Sequence, residues 1–263
     1  MSELYKDEPI YLKRLSAQKV NHYILNHSQE YSVLHRAKMV FVLKSFLRFL
    51  YFREKISSDL ALNLPRVPCW RNTTLPGYLT PYEVKSLLKH CDIKTPKGIR
   101  DSAILTLLAR LGLRAGEVCR LTLEDIDWDT GKISICGKGS KLSYLPLPDD
   151  VGKATVRYLR YVRPKCSCRQ AFIRQRAPLV GITQSAVSKL VKVALKRANL
   201  NPLHQGSHLL RHTCATHLLR KGASISDISQ ILCHKNPNST VVYAKVDLNK
   251  LQTVTQAWPG GVL

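Results

Sequence analysis

The sequence predicts a mainly α-helical fold with one small antiparallel β-sheet, so the fold class is α+β with helices predominating. Apolar residues recur at helical spacing through most of the chain, and helix-start signals precede several of these segments. Two short β-like runs, ISIC and LSYLPL, flank a glycine-rich loop and predict a hairpin. A chain of 263 residues has room for one large domain or two smaller ones.

The first part of the chain is predicted to be helical. Residues 10–30 predict a weak helix, and residues 33–52 predict a stronger one. The stripe of the stronger helix is Leu34, Ala37, Val40, Phe41, Lys44 and Leu47. Residues 62–81 contain four prolines and few periodic positions, a composition typical of a linker.

This change in composition predicts two domains. We expect a short helical domain over residues 1–62, a linker over 63–78 and a larger domain over 79–263. The larger domain begins with a helix-start signal, because Thr80 can cap a helix in which Pro81 comes first and Glu83 comes third.

The larger domain is predicted to be helical around its hairpin. The predicted helices cover 81–91, 97–111, 115–121, 150–163, 184–198, 208–221 and 225–232. Gly112 predicts the end of the second of them, and Asp129-Thr130-Gly131 predicts a turn. Residues 164–181 are polar, basic and irregular, and a short segment carrying Tyr243 follows the last helix.

Charge identifies the expected partner. Lysine and arginine number 41 against 18 aspartates and glutamates, a net charge of +23. An excess spread along the whole chain suits a long polyanion such as duplex DNA better than a small-molecule substrate.

We expect no membrane partner, because no apolar run approaches the length of a membrane span. The first residues have no apolar signal-peptide core, which predicts a cytoplasmic protein.

Cysteine spacing argues against a structural metal. The eight cysteines are scattered, and only Cys166 and Cys168 are close in sequence. A zinc site needs two close pairs, or cysteines and histidines at matched offsets. We expect no metal and no other cofactor, and we expect most of these cysteines to be buried or free thiols.

The densest group of chemically useful residues is Ser207-His208-Leu209-Leu210-Arg211-His212. On a helix, His208 and Arg211 lie on the same face. They are consistent with an ordinary basic surface, and equally with a phosphate clamp beside a proton-transfer group. Arginine suits the clamp because its fork matches two phosphate oxygens, and histidine suits proton transfer because it titrates near neutral pH.

Other candidates lie before and after this group. Arg114 is at a helix start, and Glu117 three residues on can hold a basic group in place. Lys138 sits between two glycines at the hairpin tip, with Lys141 as a nearby alternative. Farther on are His234 and Tyr243. Each of these also has an ordinary structural explanation, so their joint order carries the argument.

That order resembles the tyrosine recombinases, also called the phage integrase family. LGLRAGEVCRLTLEDID (111–127) is similar to the first arginine box, and ICGKGSKLSYLPLP (135–148) is similar to the lysine hairpin. Residues 207–246 resemble the second box through to the nucleophile. SFLRFLYFREKI (45–56) resembles the end of the N-terminal DNA-clamping domain. The ordered set is far more specific than any one piece.

The resemblance implies a fold and a reaction. The fold is a tyrosine-recombinase catalytic domain preceded by a short helical core-binding (SAM-like) domain. The reaction is site-specific recombination or integration, in which Tyr243 attacks the scissile phosphate and forms a 3′-phosphotyrosyl link. The covalent link conserves the energy of the phosphodiester, so neither ATP nor a metal is needed. The implied partner is duplex DNA, with a homotetramer assembled on the synapsed sites.

The resemblance also implies a role for each residue of the set. Arg114 and Arg211 hold the non-bridging oxygens, with Glu117 supporting them. Lys138 is the general acid, His208 the general base, and His234 a hydrogen-bond donor to the phosphate. The expected DNA contacts outside this set are Lys44, Arg48, Arg66, Arg71 and Lys141.

Two departures from the family pattern keep other functions open. Cys233 precedes His234 where the family most often has glycine, and its side chain is expected to crowd the turn. The first domain is shorter than the family pattern, with its first helix missing or degenerate. One alternative is a DNA-binding relative with impaired cleavage. The other is an enzyme like the type IB topoisomerases, which use a similar set of residues on one duplex.

Overall fold

The computed structural model describes residues 12, 15–68, 77–136, 142–233 and 243. The chain divides into two compact units, Met1–Thr73 and Thr74–Leu263. The division lies within the predicted linker, and the exact limits of the two domains stay a prediction. Within the described residues, no helix is both long enough and apolar enough to cross a membrane.

The first unit is built on two helices. Helix α1 (Ala17–Ser28) is shorter than the predicted 10–30, because Ser16 caps its start by accepting a hydrogen bond from the backbone of Lys19. Helix α2 (Val33–Phe52) has the bounds that its apolar stripe predicts. A 3₁₀ turn at Leu60–Asn63 packs on α2. The core of this unit is Leu15, Val20, Ile24, Val40, Leu47, Leu50, Ile56, Leu60, Ala61 and Leu64.

The second unit holds the remaining helices. They are α3 (Pro81–Lys89), α4 (Pro96–Leu111), α5 (Ala115–Arg120), α6 (Asp149–Tyr161), α7 (Gln184–Arg197), α8 (Ser207–Arg220) and α9 (Ile225–Ile231). The helix-start signal of α3 is confirmed. The hydroxyl of Thr80 accepts from the backbone of Glu83, whose carboxylate accepts from the backbone of Thr80 at 2.7 Å.

Helix α4 lies at the centre of the second unit. Most of its residues are buried, and α3, α5, α6, α7 and α8 all pack against it. It ends at Gly112, as predicted, in a left-handed conformation with φ of +61°. A Cβ atom on Gly112 would lie 2.7 Å from the side chain of Leu232, so this turn is also tightly packed.

The sheet has one more strand than predicted. Strands β2 (Lys132–Cys136) and β3 (Leu142–Pro146) form the predicted antiparallel pair. Strand β1 (Ile126–Asp127) adds an antiparallel edge to β2, giving the order β1-β2-β3. Two residues are too few to show an alternating pattern, which is why β1 was not predicted. The mainly α-helical fold with a small antiparallel sheet is confirmed.

The irregular segment 164–181 is more ordered than its polar composition suggests. Ala171, Phe172 and Ile173 are fully buried, and Phe172 stacks on Tyr158 with ring centroids 5.3 Å apart. The hydroxyl of Tyr158 accepts from the backbone of Ile173. The guanidinium of Arg163 donates to several carbonyls, those of Cys168, Gln170 and Ala171. These contacts fix the segment on the core without regular secondary structure.

Candidate active site

Glu117 lies between the two predicted arginines. Arg114 stands at the N-cap of α5, and its backbone N–H and its Nη1 atom each donate to the Glu117 carboxylate at 2.7 Å. The Nη1 atom of Arg211 is 3.8 Å from the same carboxylate. Glu117 is 4% exposed, so its negative charge is offset within the protein rather than by solvent. The structure thus brings together three of the predicted residues.

Arg211 is buried and holds two helix ends. Its Nη1 atom donates to the carbonyl of Gly112 at 2.7 Å, and its Nη2 atom donates to the carbonyl of Leu232. Gly112 ends α4 and Leu232 ends α9, so one side chain ties the two ends together. Burial and the charge of Arg114 lower the pKa of Arg211 to about 10, and the side chain stays positive at neutral pH.

Arg114 is the more accessible of the two arginines. Its side chain is 36% exposed, whereas that of Arg211 is 5% exposed. A guanidinium with one edge on a carboxylate and another facing solvent can still grip a phosphate. In this conformation Arg114 is therefore the one of the pair whose guanidinium is open to a ligand from solvent.

His208 lies on α8, one turn before Arg211, and is exposed. Partial desolvation, together with the charges of Arg211 and Arg114, lowers the pKa of His208. The imidazole is therefore neutral at pH 7, the form that can accept a proton.

Tyr243 is buried in a small apolar cluster of the second unit. It is 1% exposed and packs with Ala215, Leu219, Ile228 and Leu232. Its hydroxyl lies 2.8 Å from Nδ1 of His212. Burial raises the pKa of Tyr243 to about 12, against the opposing charge of Arg211. The hydroxyl is therefore not accessible from solvent in this conformation.

The sequence does not single out His212, although it closes the group that begins at Ser207. Its ring tilts at 57° to that of Tyr243, with centroids 5.6 Å apart. Burial, with the charges of His208 and Arg211, lowers the pKa of His212 to about 4. The position directly after a candidate arginine is the signal that could have marked it. Its partner Tyr243 lies 31 residues later, and no local pattern predicts that contact.

Cys233 follows α9 in a left-handed conformation, with φ of +51°. Its side chain is half-buried, and its thiol donates to the carbonyl of Ile231 at 3.8 Å. A non-glycine residue in this conformation is strained by about 1–2 kcal/mol. This finding explains in physical terms why glycine suits the position, and the turn is formed with cysteine nonetheless.

Cys233→Gly is expected to stabilise the protein. Relief of the strain is offset in part by the flexibility of glycine in the unfolded chain, about 0.5–1 kcal/mol, which leaves a net gain of about 0.5–1 kcal/mol. Urea unfolding of the two proteins measures the difference. Asn199, which follows α7 at φ of +54°, offers a control, because asparagine tolerates this conformation and Asn199→Gly relieves little strain; it should therefore lose about 0.5–1 kcal/mol through the flexibility of glycine. A loss of stability in Cys233→Gly contradicts the prediction.

Several predicted residues lie outside the described part of the chain. These are Lys138, Lys141, His234 and Arg71. Among the predicted DNA contacts in the first unit, Arg48 and Arg66 are exposed and Lys44 is half-buried. Across the described ranges, no three histidine, cysteine or acidic side chains come together as a metal site. Six of the described cysteines are free thiols, at 91, 119, 166, 168, 214 and 233.

Comparison with known proteins gives a family match. The model of the phage integrase family matches residues 77–250, which is most of the second unit. The putative integrase/recombinase y4rA of Sinorhizobium fredii is 39% identical over 99% of this chain. The chain covers only 64% of that relative, and 52% of y4rF from the same organism, to which it is 37% identical. The tyrosine recombinase XerC of Bacillus pumilus is 34% identical over 82% of the chain, which covers 72% of XerC.

Solved structures show the same fold at low sequence identity. XerH site-specific recombinase bound to a palindromic difH substrate aligns with a TM-score of 0.77 at 20% identity, over 95% of this chain and 74% of XerH. A lambda integrase dimer bound to a COC′ core site aligns with a TM-score of 0.70 at 14% identity, over 91% of this chain and 83% of that one. The likeness extends through both units of the chain.

Proposed function

Because this chain belongs to the phage integrase family, we propose that it is a site-specific DNA recombinase or integrase that cuts and rejoins duplex DNA through Tyr243. The observation that carries the proposal is the contact of Arg114, Glu117 and Arg211, with Tyr243 paired to His212, the residue that follows Arg211. The relatives of the chain are named as recombinases, and it spans about half to two thirds of the first two of them.

The proposed reaction is a transesterification at a DNA phosphate. The hydroxyl oxygen of Tyr243 attacks the phosphorus and gives up its proton to His208, and the bond from phosphorus to the 5′ oxygen breaks. Lys138 protonates the departing 5′ oxygen. A free 5′ hydroxyl from the partner strand then reverses the steps, displaces Tyr243 and joins the strands. No bond energy is lost, so the reaction needs no ATP.

Positive charge stabilises this reaction at the phosphate. Arg114 and Arg211 neutralise the non-bridging oxygens, where negative charge grows in the transition state, and His234 donates a further hydrogen bond. The Glu117 carboxylate holds the two guanidinium groups close to each other, since it contacts both. The phenol has a pKa of about 12 in its buried position, and it becomes a better nucleophile only beside these arginines and the phosphate.

The proposed substrate is duplex DNA that carries a recombination site. The net charge of +23 supports binding along the phosphate backbone. The proposed contacts outside the active site are Lys44, Arg48, Arg66, Arg71 and Lys141. We propose further that a homotetramer assembles on two synapsed sites, and that the protein acts in the cytoplasm on a mobile element or the chromosome.

A nicked suicide substrate tests the proposal. Nicked duplexes are prepared from the DNA that flanks the gene, centred on inverted repeats of about one helical turn around a short spacer, and the protein is incubated with them. A covalent adduct that mass spectrometry maps to Tyr243 supports the proposal. DNA binding with no adduct would indicate a binding-only relative. An adduct without sequence preference, together with relaxation of any supercoiled plasmid, would indicate a topoisomerase-like enzyme.

A further inference from the structure

Within the described part of the chain, the hydroxyl of Tyr243 has one hydrogen-bond partner, His212 on α8. The apolar side chains of Ala215, Leu219, Ile228 and Leu232 surround the ring, and Nδ1 of His212 lies 2.8 Å from the hydroxyl. A buried phenol without a hydrogen-bond partner is costly, so this contact decides whether the ring can stay inside. His212 is itself half-buried and fixed on a helix.

The direction of the hydrogen bond depends on the tautomer of His212. We assign the proton of the neutral ring to Nε2, so the hydroxyl of Tyr243 donates and Nδ1 accepts. The pKa of His212, lowered by burial to about 4, and the pKa of Tyr243, raised by burial to about 12, keep the proton on the tyrosine. His212 therefore holds the phenol without activating it.

We propose that His212 is a positioning residue, which holds Tyr243 in its buried site and so sets the fraction of molecules that present the hydroxyl to DNA. The inference rests on the proposed function in naming Tyr243 as the nucleophile. A buried hydroxyl cannot attack a phosphate, so breaking the contact with His212 precedes cleavage. Movement of Tyr243 out of its buried site is also coupled to Arg211, because Leu232 packs on Tyr243 and the carbonyl of Leu232 accepts from Arg211.

Two variants separate the hydrogen bond from the packing. His212→Phe keeps a ring of similar size but offers no acceptor. His212→Asn keeps an acceptor, because its amide oxygen occupies about the position of Nδ1. With its hydroxyl unpaired, the buried state of Tyr243 loses about 1–3 kcal/mol. Its exposure should rise roughly 5- to 100-fold in His212→Phe and stay close to the wild-type value in His212→Asn.

Chemical labelling of the DNA-free protein measures this exposure. A triazolinedione reagent modifies accessible phenol rings, and mass spectrometry reports the rate at each tyrosine. Tyr158 is an internal control, since it is fully buried in the same unit and its hydroxyl pairs with the backbone of Ile173. His217→Phe is the matched variant, because His217 is also half-buried on α8 but contacts the carbonyl of Leu79.

The expected result is faster labelling of Tyr243 in His212→Phe alone, with Tyr158 unchanged. Equal labelling of Tyr243 in His212→Phe and the wild type overturns the proposal, as does equal acceleration in His217→Phe. If Tyr158 is labelled faster too, the variant has unfolded, and the decision passes to ¹⁵N NMR of His212 in wild-type and Tyr243→Phe proteins. Loss of the hydroxyl should then shift the Nδ1 resonance, and an unchanged resonance overturns the proposal.

The labelling experiment uses no DNA, so it stands apart from the test of the proposed function. If the wild type forms no adduct but His212→Phe exposes Tyr243, the recombinase proposal fails and the positioning contact remains. If the wild type forms the adduct, His212→Phe should form it faster, by up to the increase in labelling, whenever undocking limits the rate. If the wild type forms the adduct but Tyr243 is labelled equally in His212→Phe and the wild type, the positioning proposal fails and the recombinase proposal stands.

Discussion

Tyr243→Phe is expected to abolish the covalent adduct with DNA completely, while the protein stays folded and binds DNA. The phenylalanine ring fills the same apolar site among Ala215, Leu219, Ile228 and Leu232, so packing is preserved. Only the hydroxyl is lost, and with it the contact to His212, which costs about 1 kcal/mol of stability. No other group on that ring can form a bond to phosphorus.

Denaturing gels with a labelled suicide substrate measure the adduct, and gel-shift titration measures binding. Tyr158→Phe is the matched control, because Tyr158 is equally buried in the same unit and loses one hydrogen bond, from the backbone of Ile173. It should keep wild-type adduct formation per folded molecule. An adduct that persists in Tyr243→Phe places the nucleophile elsewhere and contradicts the assignment.

Arg211→Lys is expected to lower the rate of cleavage by roughly 100- to 1000-fold, the typical effect of losing one donor that stabilises transition-state charge. Lysine carries one nitrogen in place of the planar guanidinium, so it cannot place separate nitrogens where Nη1 and Nη2 donate to the carbonyls of Gly112 and Leu232. We also expect a loss of about 2 kcal/mol in the free energy of unfolding, because one buried carbonyl loses a charged partner. Single-turnover cleavage and urea unfolding measure the two effects.

Arg163 provides the control that separates these effects. Its guanidinium also bridges backbone carbonyls in the second unit, at Gln170 and Ala171, and it is half-buried. Arg163→Lys should therefore lose stability while keeping the cleavage rate of the folded fraction. If the two variants lose rate in equal measure, Arg211 has a structural role only, and the proposed phosphate contact is wrong.

The sequence was sufficient for most of the fold because its signals are local. The stripe of α2 predicts Val33–Phe52, and the capping residues Thr80 and Glu83 predict the start of α3. Strand β1 was not predictable, since its two residues are held by pairing with β2 rather than by their own pattern. The burial of Phe172 within a polar segment depends likewise on a distant partner, Tyr158.

The candidate site likewise has features that the sequence predicts and features that only the fold determines. The order of Arg114, Glu117, His208, Arg211 and Tyr243 could be read along the chain, and the structure brings the first four to the meeting of α5 and α8. The carbonyl partners of Arg211 could not be predicted, because every residue has a carbonyl and only the fold selects two. The hydrogen bond from Tyr243 to His212 depends on packing in the same way.

The packing around Gly112 limits which residues can replace it. Three features meet at this residue: a left-handed backbone, a Cβ position only 2.7 Å from the side chain of Leu232, and a carbonyl that accepts from Arg211. A side chain here would be strained and would have to displace Leu232, so we expect substitution at this position to be costly. A change at position 112 would therefore be felt both at the end of helix α4 and at Arg211, whose guanidinium donates to the carbonyl of this residue.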